Sequence, residues 1–117
     1  MKYCLSCRQD DEILSLADEI YVKEKDWRII PDLFIKYPST PVILEWETNQ
    51  IKKEQILNLS IAGNLICCIN KLNVKIEWFK ENNIKFFYKF PVSTFYDIQG
   101  LIDLGVEYIR ITGPLVF

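Results

Sequence analysis

Glu45 and Glu47 stand two residues apart in the run Val42-Ile43-Leu44-Glu45-Trp46-Glu47. If that run is a strand, both carboxyls project from one face, because strand side chains alternate. Lys89 and Arg110 fall near the carboxyl ends of two further β-type runs, Ile84–Phe90 and Val106–Thr112. Lys23 and Asn70 occupy the same place in the runs Glu19–Lys23 and Asn64–Asn70. Ligands and catalytic groups of parallel α/β sheets gather at that edge. Acidic and basic groups on adjacent strands can bind a small polar ligand. A desolvated Lys89 could also serve as a base or a Schiff-base amine. The same charges can equally neutralise one another on a half-buried face, where a charge requires a partner. Lys23, Glu45, Glu47, Asn70, Lys89 and Arg110 are the ligand-binding candidates. No catalytic residue is assigned.

Other chemistries are poorly supplied. The chain has no histidine, so it lacks the commonest general base and metal ligand. Cys4-Leu5-Ser6-Cys7 has the CxxC spacing, yet both cysteines lie in a β-type run, with sulfurs on opposite faces. Cys67 and Cys68 are adjacent and diverge in the same way. A four-thiolate zinc site would need two CxxC knuckles. Radical-type iron–sulfur enzymes built on partial barrels need a third closely spaced cysteine. The four thiols therefore read as small apolar packing groups, with no metal and no cofactor. No glycine-rich phosphate loop follows a strand, which disfavours nucleotides. Trp46 reads as core. Trp27, beside Arg28, reads as packing, with an exposed partner anchor as the alternative.

The elements that would position these groups form a repeat. Six strands are expected at Lys2–Cys7, Glu19–Lys23, Val42–Glu47, Asn64–Asn70, Ile84–Phe90 and Val106–Thr112. One face collects Leu5, Ile20, Val22, Val42, Leu44, Trp46, Leu65, Cys67, Ile69, Phe86, Tyr88, Ile109 and Ile111. The other is polar, with Cys4, Ser6, Arg8, Tyr21, Cys68, Tyr108 and Thr112 beside the six candidates. Ala62-Gly63, Asn82-Asn83 and Gly105 each close a helix directly into a strand, since Gly and Asn tolerate left-handed backbone. Asp10, Thr48 or Asn49, Asn73, and Ser93 or Thr94 are expected helix caps. Pro31–Tyr37 is a further helix, followed by a turn at Tyr37–Pro41.

Alternating strands and helices imply a parallel sheet in a single α/β domain over residues 1–117. The polar second face favours a six-stranded, mostly parallel sheet of βα repeats, a partial (βα) barrel with its helices outside. A complete barrel takes eight units and about 200 residues or more. The alternative is a doubly wound, flavodoxin-like sheet, whose strands should be apolar on both faces. The run from Asp103 to Ile111 resembles the helix–glycine–strand step of (βα)-barrel enzymes, without a catalytic signature.

Half of the residues are hydrophobic, enough for a real core, and the net charge is −2. No basic run exists, so nucleic-acid binding is not expected. No apolar run is long enough to span a bilayer, and Met1-Lys2-Tyr3-Cys4 enters a strand without a signal-peptide core. The expected location is the cytoplasm. Ile, Lys and Asn are abundant and Ala is scarce, the mark of an AT-rich genome. These features suit a small binding protein that acts through a polar concave face or its sheet edges. The expected partner is another protein or a second copy of itself, as in a phage or mobile-element accessory protein. The rival is a small-molecule binder or (βα)-barrel-type enzyme using Glu45, Glu47, Lys89 and Arg110. The apolar end, Leu115-Val116-Phe117, should dock on the domain or on a partner.

Overall fold

A computed structural model describes residues 3–47, 51–69, 76–90, 93, 94, 99, 102, 103, 109–111, 115 and 116. Five runs rich in β-branched and aromatic residues form strands, as such side chains favour a pleated surface. They are β1 (Cys4–Ser6), β2 (Glu19–Lys23), β3 (Val42–Trp46), β4 (Leu65–Ile69) and β5 (Lys85–Phe90). Between them lie α1 (Asp11–Leu14), α2 (Ile30–Lys36), α3 (Lys53–Ala62) and α4 (Ile76–Glu81). All five strands are parallel and hydrogen-bonded in chain order, and β7 (Ile109–Ile111) pairs parallel beyond β5. A second parallel ladder joins β6 (Ser93–Thr94) to β8 (Leu115–Val116). Two of the three apolar residues at the end of the sequence therefore pair with the chain's own backbone.

Among the described residues the strand order never reverses, so they contain no topological switch point. This excludes the doubly wound alternative, which depends on one. The packing agrees. One sheet face carries Ile20, Val22, Val42, Leu44, Trp46, Leu65, Cys67, Ile69 and Tyr88, buried with Leu14, Ile30, Leu33, Ile56, Leu59, Ile76 and Phe79 of the four helices. The opposite face has a smaller cluster, Ile43, Cys68 and Phe87, with Tyr21 and Ile66 against it. Every member of that cluster is a strand residue. Among the described residues, the helical layer thus covers one face.

The second face is less polar than alternation alone suggests. Its middle is apolar, through Ile43, Ile66 and Phe87, and its charges stand at the strand ends, with Glu19 and Lys85 at the amino ends of β2 and β5 and Lys23, Glu45 and Lys89 toward the carboxyl ends of β2, β3 and β5. A parallel strand buried on one side and half-buried on the other needs this mixture, because a wholly polar face would leave its charges desolvated.

Two helix ends reach the same outcome by different means. Asn83 has φ 54°, the left-handed conformation expected there. Gly63 instead is extended, with φ −169° and ψ −171°. Its glycine serves close approach, since a Cβ would overlap the Phe34 ring of α2. Asp10 occupies the N-cap of α1 without a side-chain cap bond. The cap of α3 is Lys52, not the expected Thr48 or Asn49, because the helix begins only at Lys53; the Lys52 N–H donates to Gln55 Oε1 at 2.9 Å. Thr48, Asn49, Asn73 and Gly105 lie outside the described residues, as does most of the helix expected after Thr94. Gln99, Ile102 and Asp103 of that helix are helical. An unexpected 3-10 helix, Glu24–Ile29, leads from β2 into α2.

Candidate functional site

Strand register brings the charged candidates toward one edge. Lys23 pairs with Glu45, Glu45 with Cys68, and Cys68 with Phe87. Two residues further along β5, Lys89 pairs with Arg110 along the backbone. The side chain of Arg110 and all of Asn70 lie outside what the structure describes. Glu45 and Glu47 do share a face, and their carboxyls are hydrogen-bonded to each other. Burial holds the Glu45 carboxyl above its ordinary value, offset by the Lys89 ammonium and reinforced by the Glu47 charge and hydrogen bond. Among the described residues, Lys89 is the cation acting on Glu45. Lys23 is exposed.

Lys89 turns inward over the second face. Its Nζ stands 5.5 Å from the centroid of the Tyr21 ring, a cation–π contact between β5 and β2. Around this pair lies a cavity of about 300 Å³ lined by Cys4, Ser6, Tyr21, Cys68, Phe87 and Lys89. Its walls come from β1, β2, β4 and β5. The Tyr21 hydroxyl is sealed from solvent and has no hydrogen-bond partner among the described residues. Alternation had placed Tyr21 on this face, but nothing in the sequence marked its hydroxyl.

The cysteines separate as the strand pattern implies. Cys4 lines the cavity while Cys7 packs toward the helical side, and Cys68 faces the cavity while Cys67 is in the main core. All four are free thiols. Burial pushes the Cys67 thiol up to about 12, with a smaller push from Cys68, so it is a packing group and not a nucleophile. Trp46 is core, and Trp27 packs half-buried against it with Arg28 5.6 Å from its ring. Packing, not an exposed anchor, is the role of Trp27.

One important residue escaped the sequence reading. Glu24 is 6% exposed, and its carboxylate accepts from the Glu47 N–H at 2.7 Å and the Ile51 N–H at 3.0 Å. The Trp46 indole donates to the Ile51 carbonyl at 3.1 Å. Together they fasten both ends of the loop after β3 and so set the backbone from which Glu47 projects. The sequence signal was weak: a carboxylate at the exit of β2, within a 3-10 turn that neither strand nor helix period marks.

No protein-family model matches the chain, and no curated protein is significantly similar to it. Among solved structures, it is similar to a glycerol uptake operon antiterminator-related protein from Thermotoga maritima. The TM-score is 0.62 at 16% identity, covering 94% of this chain and 70% of that one. At that identity the likeness concerns the fold alone. Among the described residues, no helix is long and apolar enough to cross a membrane.

Proposed function

We propose that the protein is a small-molecule-binding domain whose ligand occupies the cavity on the helix-free face of a curled, partial-barrel sheet. The observation that carries this reading is the cavity wall. In a flat sheet, β1 and β5 would stand four strand spacings apart, about 19 Å. Cys4 and Ser6 of β1 nevertheless share a cavity of about 300 Å³ with Phe87 and Lys89 of β5. A sheet curled toward its helix-free face brings these strands together. The volume is at the lower end of the range for small-ligand pockets, and the wall combines apolar surface with a few polar groups. The reading sets the protein in the cytoplasm, supported by its four free thiols.

The test fills the cavity. Ser6 is exposed and lines it, so Ser6→Phe should occupy the space while leaving the core intact. A library of small metabolite-like fragments is screened by saturation-transfer NMR against both proteins. Fragments that bind the wild type should lose their signal in Ser6→Phe, with circular dichroism unchanged. No binder to the wild type, or equal binding to both proteins, would refute the reading.

A second reading is association with a protein partner or a second copy. It is favoured by β1 standing at a sheet edge and by the exposure of Leu16, Ile35 and Ile61. Sedimentation that gives a strict monomer at high micromolar concentration would count against self-association.

A further inference from the structure

We infer that the ligand of this cavity is a small monoanion, a carboxylate on an apolar or aromatic body, with Lys89 and Tyr21 as its two donors. This rests on the small-molecule reading and names the ligand's class. Among the described residues that line the cavity, Lys89 is the charged one and there is no carboxylate. Ser6 and Tyr21 add hydroxyls, and Phe87, Cys68 and the Tyr21 ring add apolar wall. A buried hydroxyl without a partner is a standing cost to a fold, and such groups commonly mark functional positions. The Lys89 ammonium lies over the same ring, yet the two donors do not satisfy each other. A carboxylate has two oxygens, each accepting at about 2.8 Å, and can bridge donors held apart in this way.

Access requires motion. The hydroxyl is sealed in this conformation, and the Lys89 side chain lies over the Tyr21 ring. Rotation of that flexible arm would uncover the ring face of Tyr21 and carry the ammonium onto the ligand, while the hydroxyl must itself be unsealed to donate. A dianion such as phosphate fits less well. It would set two charges against one ammonium, close to Glu45 and Glu47. Glu45 attracts Lys89 from outside the cavity wall and so competes with an anionic ligand.

Benzoate, its neutral isostere benzamide and inorganic phosphate test the assignment by saturation-transfer NMR on the whole chain. Benzoate should bind the wild type at least roughly tenfold more tightly than benzamide. Lys89→Met should abolish that preference, and Glu45→Gln should strengthen benzoate binding. Tyr21→Phe should weaken benzoate several-fold while melting no lower than the wild type, because it removes an unsatisfied group. Benzamide binding as tightly as benzoate would overturn the anion assignment and leave the cavity reading standing. Phosphate displacing benzoate at equal concentration would overturn the monoanion. Failure of both aromatic probes, with no other fragment bound, would overturn both readings. A clearly lower melting temperature for Tyr21→Phe would show that its hydroxyl is satisfied within the fold and remove it as a donor.

Discussion

Glu45 carries opposing influences on a single carboxyl. Burial and Glu47 favour its protonated form, while Lys89 favours the charged form, and the net effect raises its pKa. A carboxyl whose folded pKa exceeds its unfolded value binds more protons in the native state. Its stabilising contribution is full below the unfolded value of about 4.3 and is lost as pH rises through the folded value. Glu45→Gln keeps the hydrogen-bonding shape without that loss. Its melting temperature should exceed the wild type's near pH 7, and the difference should shrink below pH 4. A pH series of thermal melts checks the sign. Equal or lower stability of the variant at pH 7 would mean that Lys89 outweighs burial. The pairing of Glu45 with Glu47 was legible, because two residues of separation in a strand fix a common face. The encounter with Lys89 was legible only given the strand order. Tyr21 and Glu24 were not legible in their roles, since both depend on neighbours far away in the chain.

At the scale of elements, the loops after strands are held by specific polar contacts, and the helices by close packing. Glu24 accepts two backbone N–H groups at the ends of the loop that follows β3. Hydrogen bonds to a charged acceptor contribute about 1.5–3 kcal/mol each, and orphaned buried donors add to the loss. Glu24→Ala should therefore destabilise the protein by roughly 3 kcal/mol in urea unfolding, with Glu24→Gln intermediate because its amide oxygen still accepts. A loss below about 0.5 kcal/mol, the usual range for surface substitutions, would exclude the fastening role. Gly63 tests the packing between α2 and the end of α3. Gly63→Ala drives a methyl into the Phe34 ring and should cost about 1–3 kcal/mol, unless the ring rotates away. Gly63→Ala combined with Phe34→Leu should recover part of that loss. Element positions were read closely from period-two alternation and from the Gly and Asn junctions. The 3-10 helix was missed because three residues per turn gives neither pattern.

The whole molecule decides whether strands distant in the sheet meet. Chain-order pairing places β1 and β5 far apart along the sheet, while the cavity brings their side chains together. A thiol–amine cross-linker with a spacer of about 6 Å should join Cys4 to Lys89 in the native protein. A flat sheet would hold those strands about 19 Å apart. Peptide mapping that finds no such link, while Cys4 is alkylated normally, would contradict the proposed curl of the sheet. Cys4 is exposed and suited to this chemistry, whereas Cys67 and Cys68 are fully buried.

The sequence by itself determined the local geometry and its facing. Alternation assigned Ile20, Val22, Val42, Leu44, Trp46, Cys67 and Tyr88 to the helical side and Tyr21, Glu45, Cys68 and Lys89 to the other. That is possible because a strand's side-chain period depends only on its own backbone. The tertiary structure decided which strands are neighbours, that the described helices keep to one face, and that Lys89 reaches Tyr21. It also decided why Gly63 is a glycine. These facts depend on residues brought together from distant parts of the chain, and local periodicity carries no record of them.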